Sequence, residues 1–219
     1  ICGGALRKYL ARKKELPEQS LVAMAPINVR TKDKLGTAGN QVSQMSVKVC
    51  SDVAGPIHRL RAVRDGTHKA KELSNAIGAK TMTDYAQFIP STLSASAARL
   101  ASRIGLANRG TPIYNCVITN VPGPQVPLYF TGAKMLSSFG MGPAIDGVGL
   151  FHAIGSYCGL FNICVSSCRQ MMPDPAFYAQ CLQESFDELK AGSLATSEPA
   201  KAFKHASKKS AAASKQPSK

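Results

Sequence analysis

Few side chains in this sequence are of types and spacings that do chemistry. The four histidines, His58, His68, His152 and His205, form no His-x-x-His or His-x-x-x-Asp pair, so the sequence writes neither a metal-binding nor a general-base motif. His58 and His68 fall among charged residues and read as solvated imidazoles, and His205 lies in a polar tail. Only His152 interrupts an apolar run, where a hydrogen-bonded core histidine outweighs a pocket residue. Gly140, Gly142, Gly147 and Gly149 never make Gly-x-Gly-x-x-Gly, and no Gly-x-x-x-x-Gly-Lys occurs, which argues against nucleotide hydrolysis. What remains are three polar turn motifs at the ends of apolar runs: Ala25-Pro26-Ile27-Asn28-Val29-Arg30, Thr119-Asn120-Val121-Pro122-Gly123-Pro124 and Gly142-Pro143-Ala144-Ile145-Asp146-Gly147. Each alone reads as ordinary turn chemistry, with Asn or Asp bonding nearby backbone, but together they place several amides and charges at strand ends.

The elements that must carry these motifs follow from periodicity. Leu6 and Leu10 lie one turn apart among Arg7, Lys8, Arg12, Lys13 and Lys14, predicting an amphipathic helix from Ile1 that ends before Pro17, with a solvated basic face. Leu21–Val29 and Asn40–Cys50 read as strands around a polar loop, Gly55–Gly78 and Ser91–Leu106 as helices, and Tyr114–Val121 as a strand stopped by Pro122-Gly123-Pro124. No Asp, Glu, Lys or Arg occurs between Asp146 and Arg169. Glycines and polar residues interrupt that stretch too often for a membrane span, so it splits into two strands, Val148–Tyr157 and Leu160–Cys168, joined as a hairpin at Cys158-Gly159. A last helix follows Pro173-Asp174-Pro175, its apolar face running from Phe177 to Leu189 and its end falling near Gly192.

Composition bounds the possible partners. The chain of 219 residues is 44% hydrophobic and carries a net charge of +14, enough material for a globular core and enough charge to attract a polyanion: nucleic acid, an anionic membrane or a phosphorylated cofactor. An aromatic content of 6% with no Trp, and no recognition motif, argue against nucleic acid. The seven cysteines are an odd set without Cys-x-x-Cys, which points to a reducing cytosol rather than a disulfide framework or a zinc site. The first residue is Ile and no signal-peptide pattern follows, so the chain reads as a fragment.

Taken in order, the motifs resemble the C-terminal half of the bacterial wax ester synthase/diacylglycerol acyltransferases, over Ile1 to about Gly192. The likeness rests on Ile1-Cys2-Gly3-Gly4-Ala5-Leu6-Arg7, Pro26-Ile27-Asn28-Val29-Arg30, Gly39-Asn40-Gln41, Thr119 to Pro124, Tyr129-Phe130-Thr131-Gly132-Ala133, Gly142-Pro143 with Asp146-Gly147, Ser156-Tyr157-Cys158-Gly159 and Pro173-Asp174. The resemblance implies a chloramphenicol-acetyltransferase-like, two-lobed α/β fold. Residues 1–192 would be its C-terminal lobe, a mixed sheet flanked by helices. Residues 193–219, with six lysines against Glu198, read separately as a disordered basic tail.

The same resemblance implies transfer of a fatty acyl group from acyl-CoA, as co-substrate and with no bound cofactor or metal, to diacylglycerol or a long-chain alcohol. The general-base histidine of a His-His-x-x-x-Asp-Gly motif is expected on an N-terminal lobe, so this chain would supply the opposite wall of the substrate tunnel and be inactive alone. Asn120 is the supporting candidate, as donor or positioner for the reacting carbonyl. Asn28, Arg30, Asn40, Pro122, Gly123, Pro124, Asp146, His152, Ser156 and Tyr157 are expected around the substrates, Arg30 alternatively at a CoA phosphate. Members of the family usually have asparagine where His152 stands. Met135, Leu136, Phe139 and Met141 line an acyl channel or fill core. A cytoplasmic enzyme held peripherally at membrane or lipid inclusions is expected, the tail lysines adding about 1 kcal/mol each at an anionic surface. The alternative is a non-catalytic basic domain that binds nucleic acid or a lipid surface.

Overall fold

The computed structural model of the chain describes residues 1–28, 42–77, 95–97, 99–100, 103–105, 113–144 and 147–196. Helix α1 spans Cys2–Lys13 and presents Cys2, Ala5, Leu6 and Tyr9 to the core at helical spacing. It stops where Lys14 turns left-handed, at φ 60°, and returns its N–H to the Ala11 carbonyl, short of the proline the sequence offers as terminator. Its basic face is not simply solvated. Lys8 and Arg12 pair with Glu184 and Glu188, and Lys13 pairs with Asp174, all on or beside the last helix, while Arg7 donates to the Ser51 and Asp52 carbonyls. Half-exposed pairs of this kind add only about 0.2–1 kcal/mol each but fix how the two helices dock.

The sheet is mixed. Strands β1 (Val22–Asn28), β2 (Val42–Lys48), β3 (Cys116–Val121), β6 (Leu150–Tyr157) and β7 (Leu160–Ser167) lie in the order β2-β1-β3-β6-β7, and β4 (Tyr129–Phe130) with β5 (Ala133–Lys134) makes a separate short hairpin. The outer pairs are antiparallel, and β1–β3 and β3–β6 are parallel. The expected hairpin is present: Cys158 at φ 47° and Gly159 at φ 80° supply the two left-handed positions that a two-residue turn needs between right-twisted strands.

Helix α2 (Pro56–Ile77) and the last helix, here α3 (Pro175–Thr196), join α1 on one face of the sheet. α3 does not end near Gly192. A Cβ at residue 192 would sit 3.0 Å from Ile57 of α2, so this glycine lets two helices approach rather than capping one, and the helix runs on to Thr196. The observed strands and helices begin and end within a few residues of the expected ones. The Ser91–Leu106 helix falls largely outside the described residues, which show helical backbone at 95–97 and 99–100; of the tail expected over 193–219, residues 193–196 belong to α3 and 197–219 lie outside the described residues.

The core sits between α1, α3 and the central strands, around Leu6, Tyr9, Cys116, Leu150, Tyr178 and Cys181. His152 is at its centre, 0% exposed. Its Nδ1 lies 3.2 Å from the Val117 carbonyl, which can only accept, so Nδ1 carries the proton and Nε2 accepts from the Tyr178 hydroxyl at 2.7 Å. Both nitrogens are thus used inside the protein. The core reading describes this residue, and a substrate contact does not.

Burial holds the His152 imidazole neutral, with its pKa lowered from 6.5 to about 4 despite the opposing bond to Val117. Between those values the unfolded chain takes up a proton that the folded chain refuses. The stabilisation is therefore complete above pH 6.5 and lost towards pH 4, a change on the order of 3 kcal/mol. Thermal melts from pH 7 to pH 4.5 should show a steeper fall in midpoint for the natural chain than for His152→Asn. Parallel curves would mean that the imidazole is not held neutral.

Candidate functional site

Two parallel strands finish side by side. β3 and β6 pair with Asn120 opposite Ile154 and Val121 opposite Gly155. Alternation along each strand places Cys116, Ile118 and Asn120 on the helix-covered face, together with His152, Ile154 and Ser156. Asn120 and Ser156 are therefore the residues that follow Ile118 and Ile154 on one face, about 7 Å farther along. The burial of β3 falls from complete at Cys116 to exposed at Asn120, so the sheet runs from a closed core to an open polar end.

The turn after β3 is tied to this end. Pro122 has no N–H to continue the ladder. Gly123 comes so close to β6 that a Cβ would stand 2.0 Å from the Ser156 carbonyl oxygen, and its N–H donates to Ser156 Oγ at 3.3 Å. The Pro124 carbonyl accepts from Cys158 N–H at 3.1 Å. Gln125, which sequence reasoning passed over, donates from Nε2 to the Gly123 carbonyl at 3.0 Å and accepts Gly159 N–H at 3.0 Å. Its position directly after Pro-Gly-Pro was the available signal.

On the opposite face, Tyr157 performs a similar service. Its hydroxyl accepts from Leu128 N–H at 2.8 Å and donates to the Met135 carbonyl at 3.0 Å, closing the two ends of the β4–β5 hairpin. Asn162 Nδ2 donates to the Ser138 carbonyl at 2.9 Å. The loop so held exposes Leu136 (78%), Phe139 (70%) and Met141 (89%), so these residues do not fill core.

A second feature lies deeper on the helix face. A groove of about 230 Å³ is floored by Ile118, Ile154, Phe161 and Ile163 and walled by Leu60 and Val63 of α2 and Leu189 of α3. A hollow of about 280 Å³ shares Phe161 and Ile163 with it. Among the described residues, none of those expected around substrates lines either one. Arg59 and Ser185, which the sequence did not single out, do line the groove.

Of the expected residues, the structure brings together Asn120, Pro122, Gly123, Pro124, Ser156 and Tyr157. Asn28 ends β1, but its side chain lies outside the described residues, as do Arg30, Asn40 and Asp146 entirely. Among the described residues no cluster of three or more His, Cys, Asp or Glu side chains could hold a metal ion, and no helix is long and apolar enough to cross a membrane.

The profile of the family described as "WS/DGAT C-terminal domain" matches residues 38–190. A Mycobacterium tuberculosis (strain CDC 1551 / Oshkosh) protein named as a diacylglycerol O-acyltransferase is 36% identical over 190 residues, covering 86% of this chain and 37% of that protein. "O-acyltransferase WSD" of Acinetobacter baylyi is 27% identical over 175 residues, covering 79% and 36%. Among solved structures, the wax ester synthase/diacylglycerol acyltransferase from Marinobacter aquaeolei VT8 superposes with a TM-score of 0.66 at 26% identity, over 87% of this chain and 41% of that one. The chain thus spans well under half the length of the relatives it matches.

Two substitutions separate the clamps from the surfaces they hold. Tyr157→Phe strands a backbone N–H and a carbonyl, and should lower stability by about 1–3 kcal/mol in urea denaturation. Gly123→Ala forces a Cβ against backbone that has no room for it, and should cost a similar ~1–3 kcal/mol. Unchanged denaturation midpoints in both variants would show that the loop is not clamped.

Proposed function

Because the chain belongs to the WS/DGAT family, we propose that it forms the C-terminal part of an O-acyltransferase that moves a fatty acyl group from acyl-CoA to diacylglycerol or a long-chain alcohol. Relatives named as diacylglycerol O-acyltransferase, O-acyltransferase and wax ester synthase support that reaction class. The observation that carries the reading on this chain's own residues is Asn120, an exposed amide at the open end of the helix-covered sheet face, beside Ser156 and a clamped Pro-Gly-Pro turn.

In this reading the acceptor hydroxyl attacks the thioester carbonyl, and its proton passes to a histidine in the portion of the protein that this chain does not span. Such a base contributes about 10²–10⁴ in rate. Negative charge then gathers on the thioester oxygen, where the Asn120 Nδ2–H group donates a hydrogen bond, before the intermediate collapses, the C–S bond breaks and the leaving sulfur takes the proton back from that histidine to give the CoA thiol. A donor aimed at that oxygen is worth about 2.7–4 kcal/mol. Ser156, with Gly123 and Gln125, positions the strand end and does no chemistry. Asn28, Arg30, Asn40 and Asp146 are proposed to border the substrates, Arg30 being suited to a CoA phosphate by its planar fork.

The exposed Leu136, Phe139 and Met141 and the net charge of +14 support peripheral contact with an anionic lipid surface, where such substrates collect. The lobe carrying the base is the other proposed partner.

Replacing Asn120 by Ala in the complete enzyme should lower kcat/KM for acyl transfer by about 10²–10³. Because Asn120 is exposed, stability should stay within about 0.5 kcal/mol. Undiminished turnover at unchanged stability would remove Asn120 from the mechanism.

A further inference from the structure

We propose that strand β7 is an interface between two copies of this chain: it pairs antiparallel with its own counterpart about a two-fold axis perpendicular to the sheet, with Cys164 at that axis. This goes beyond acyl transfer and concerns assembly alone.

The two edges of the sheet are β2 and β7. An edge strand presents a row of unpaired main-chain groups, and soluble proteins blunt such an edge with charge, proline, bulges or a covering element. β2 is blunted. Gln44, Ser46 and Lys48 are polar and exposed, and α2 packs against the strand. β7 has none of these devices: its 8 residues include no charge and no proline, and its pairing to β6 runs without a bulge.

Which groups of β7 face outward follows from the register. Cys168 N–H donates to the Gly149 carbonyl at 2.9 Å, so these opposed residues form a hydrogen-bonded pair, and such pairs alternate along the ladder to Tyr157 and Leu160. Leu160, Asn162, Cys164 and Ser166 therefore turn their N–H and C=O groups to β6. Phe161, Ile163, Val165 and Ser167 turn theirs away, and no described residue bonds to them.

That outward set is self-complementary. Centred on residue 164, an antiparallel copy sets Phe161 opposite Ser167 of the partner copy and Ile163 opposite Val165 of the partner copy, and the reverse. Every outward N–H and carbonyl then meets a partner. Cys164 falls in a non-hydrogen-bonded pair and faces its own counterpart, with Cα atoms about 4.5 Å apart.

Charge selects a second copy as the occupant. A chain of net charge +14 repels its like over much of its surface, whereas two β7 strands meet without bringing cations together. The apolar side chains are also open to cover. Leu160 and Phe161 are more than half exposed, and Phe161 and Ile163 border an open hollow with Leu182 and Phe186 of α3. The two-fold keeps both helix-covered faces on one side, so the apolar margin of each copy is covered by the same residues of the other.

Sedimentation equilibrium of the 219-residue protein should give a dimer with a dissociation constant below about 100 µM. Cys164→Lys sets two ammonium groups face to face at the axis and should weaken the dimer at least about tenfold, as should Cys164→Glu, and an equal mixture of the two should restore it. Diamide, which takes two hydrogen atoms from a pair of thiols, should link two chains through Cys164. The double variant Cys158→Ser with Cys168→Ser should still crosslink and Cys164→Ser should not, a comparison that stands even if a charge variant fails to fold. A protein that stays monomeric at about 500 µM, or a dimer that Cys164→Lys does not weaken and diamide does not link at Cys164, would overturn the proposal. In the complete protein the dimer should persist. A monomer there, with Cys164 inert to diamide, would show the edge covered by the rest of the polypeptide and contradict the proposal equally.

Discussion

The parallel pairing of β3 with β6 is the constraint on which the remainder of this structure rests. These two strands carry the buried centre at Cys116 and His152 and the polar end at Asn120 and Ser156, and a slip of one residue would send Asn120 to the opposite face. The Tyr178–His152–Val117 hydrogen-bond chain guards that register. It links α3 to β6 and β6 to the backbone of β3, in surroundings where Cys116 and Cys181 are fully enclosed and a broken polar contact finds no water to replace it. Tyr9 packs edge-on against Tyr178 and donates to Asp174, which extends the same tie to α1.

The two faces of the sheet are organised by different physics. On one, helices bury aliphatic side chains and leave a groove with Arg59 at its edge. On the other, a loop rich in exposed apolar residues is held by directional bonds from Tyr157 and Asn162 rather than by a core of its own. A loop fixed in that way keeps its shape while presenting Leu136, Phe139 and Met141 outward as an exposed apolar surface.

Much of this was legible in the sequence because it is local. The Cys158-Gly159 turn follows from a glycine that accepts left-handed backbone between two strand-length apolar segments, and the end of β3 follows from two prolines without N–H groups. Pairing across the chain is another matter. That Gly123 abuts Ser156, that Gln125 bridges to Gly159 and that Lys8, Arg12 and Lys13 reach α3 all depend on contacts between residues far apart in sequence, which no periodicity encodes. Gly192 shows the limit most plainly, since a glycine near the end of an apolar face reads as a cap until the neighbouring helix, with Ile57 against it, is seen. Arg59 is hidden for the same reason: in a helix rich in Arg, Lys and His, nothing marks the one basic residue whose turn of the helix faces inward.

The account stands or falls on where the reacting carbonyl sits. A crystal structure of the complete protein with a non-hydrolysable 2-oxoalkyl-CoA, in which a methylene separates the sulfur from the carbonyl, measures this directly. The expected result is the analogue's carbonyl oxygen within about 3.2 Å of Asn120 Nδ2, at the open end of β3. A carbonyl seated far from that strand end, with Asn120 turned to solvent or bonded only to protein, would contradict it.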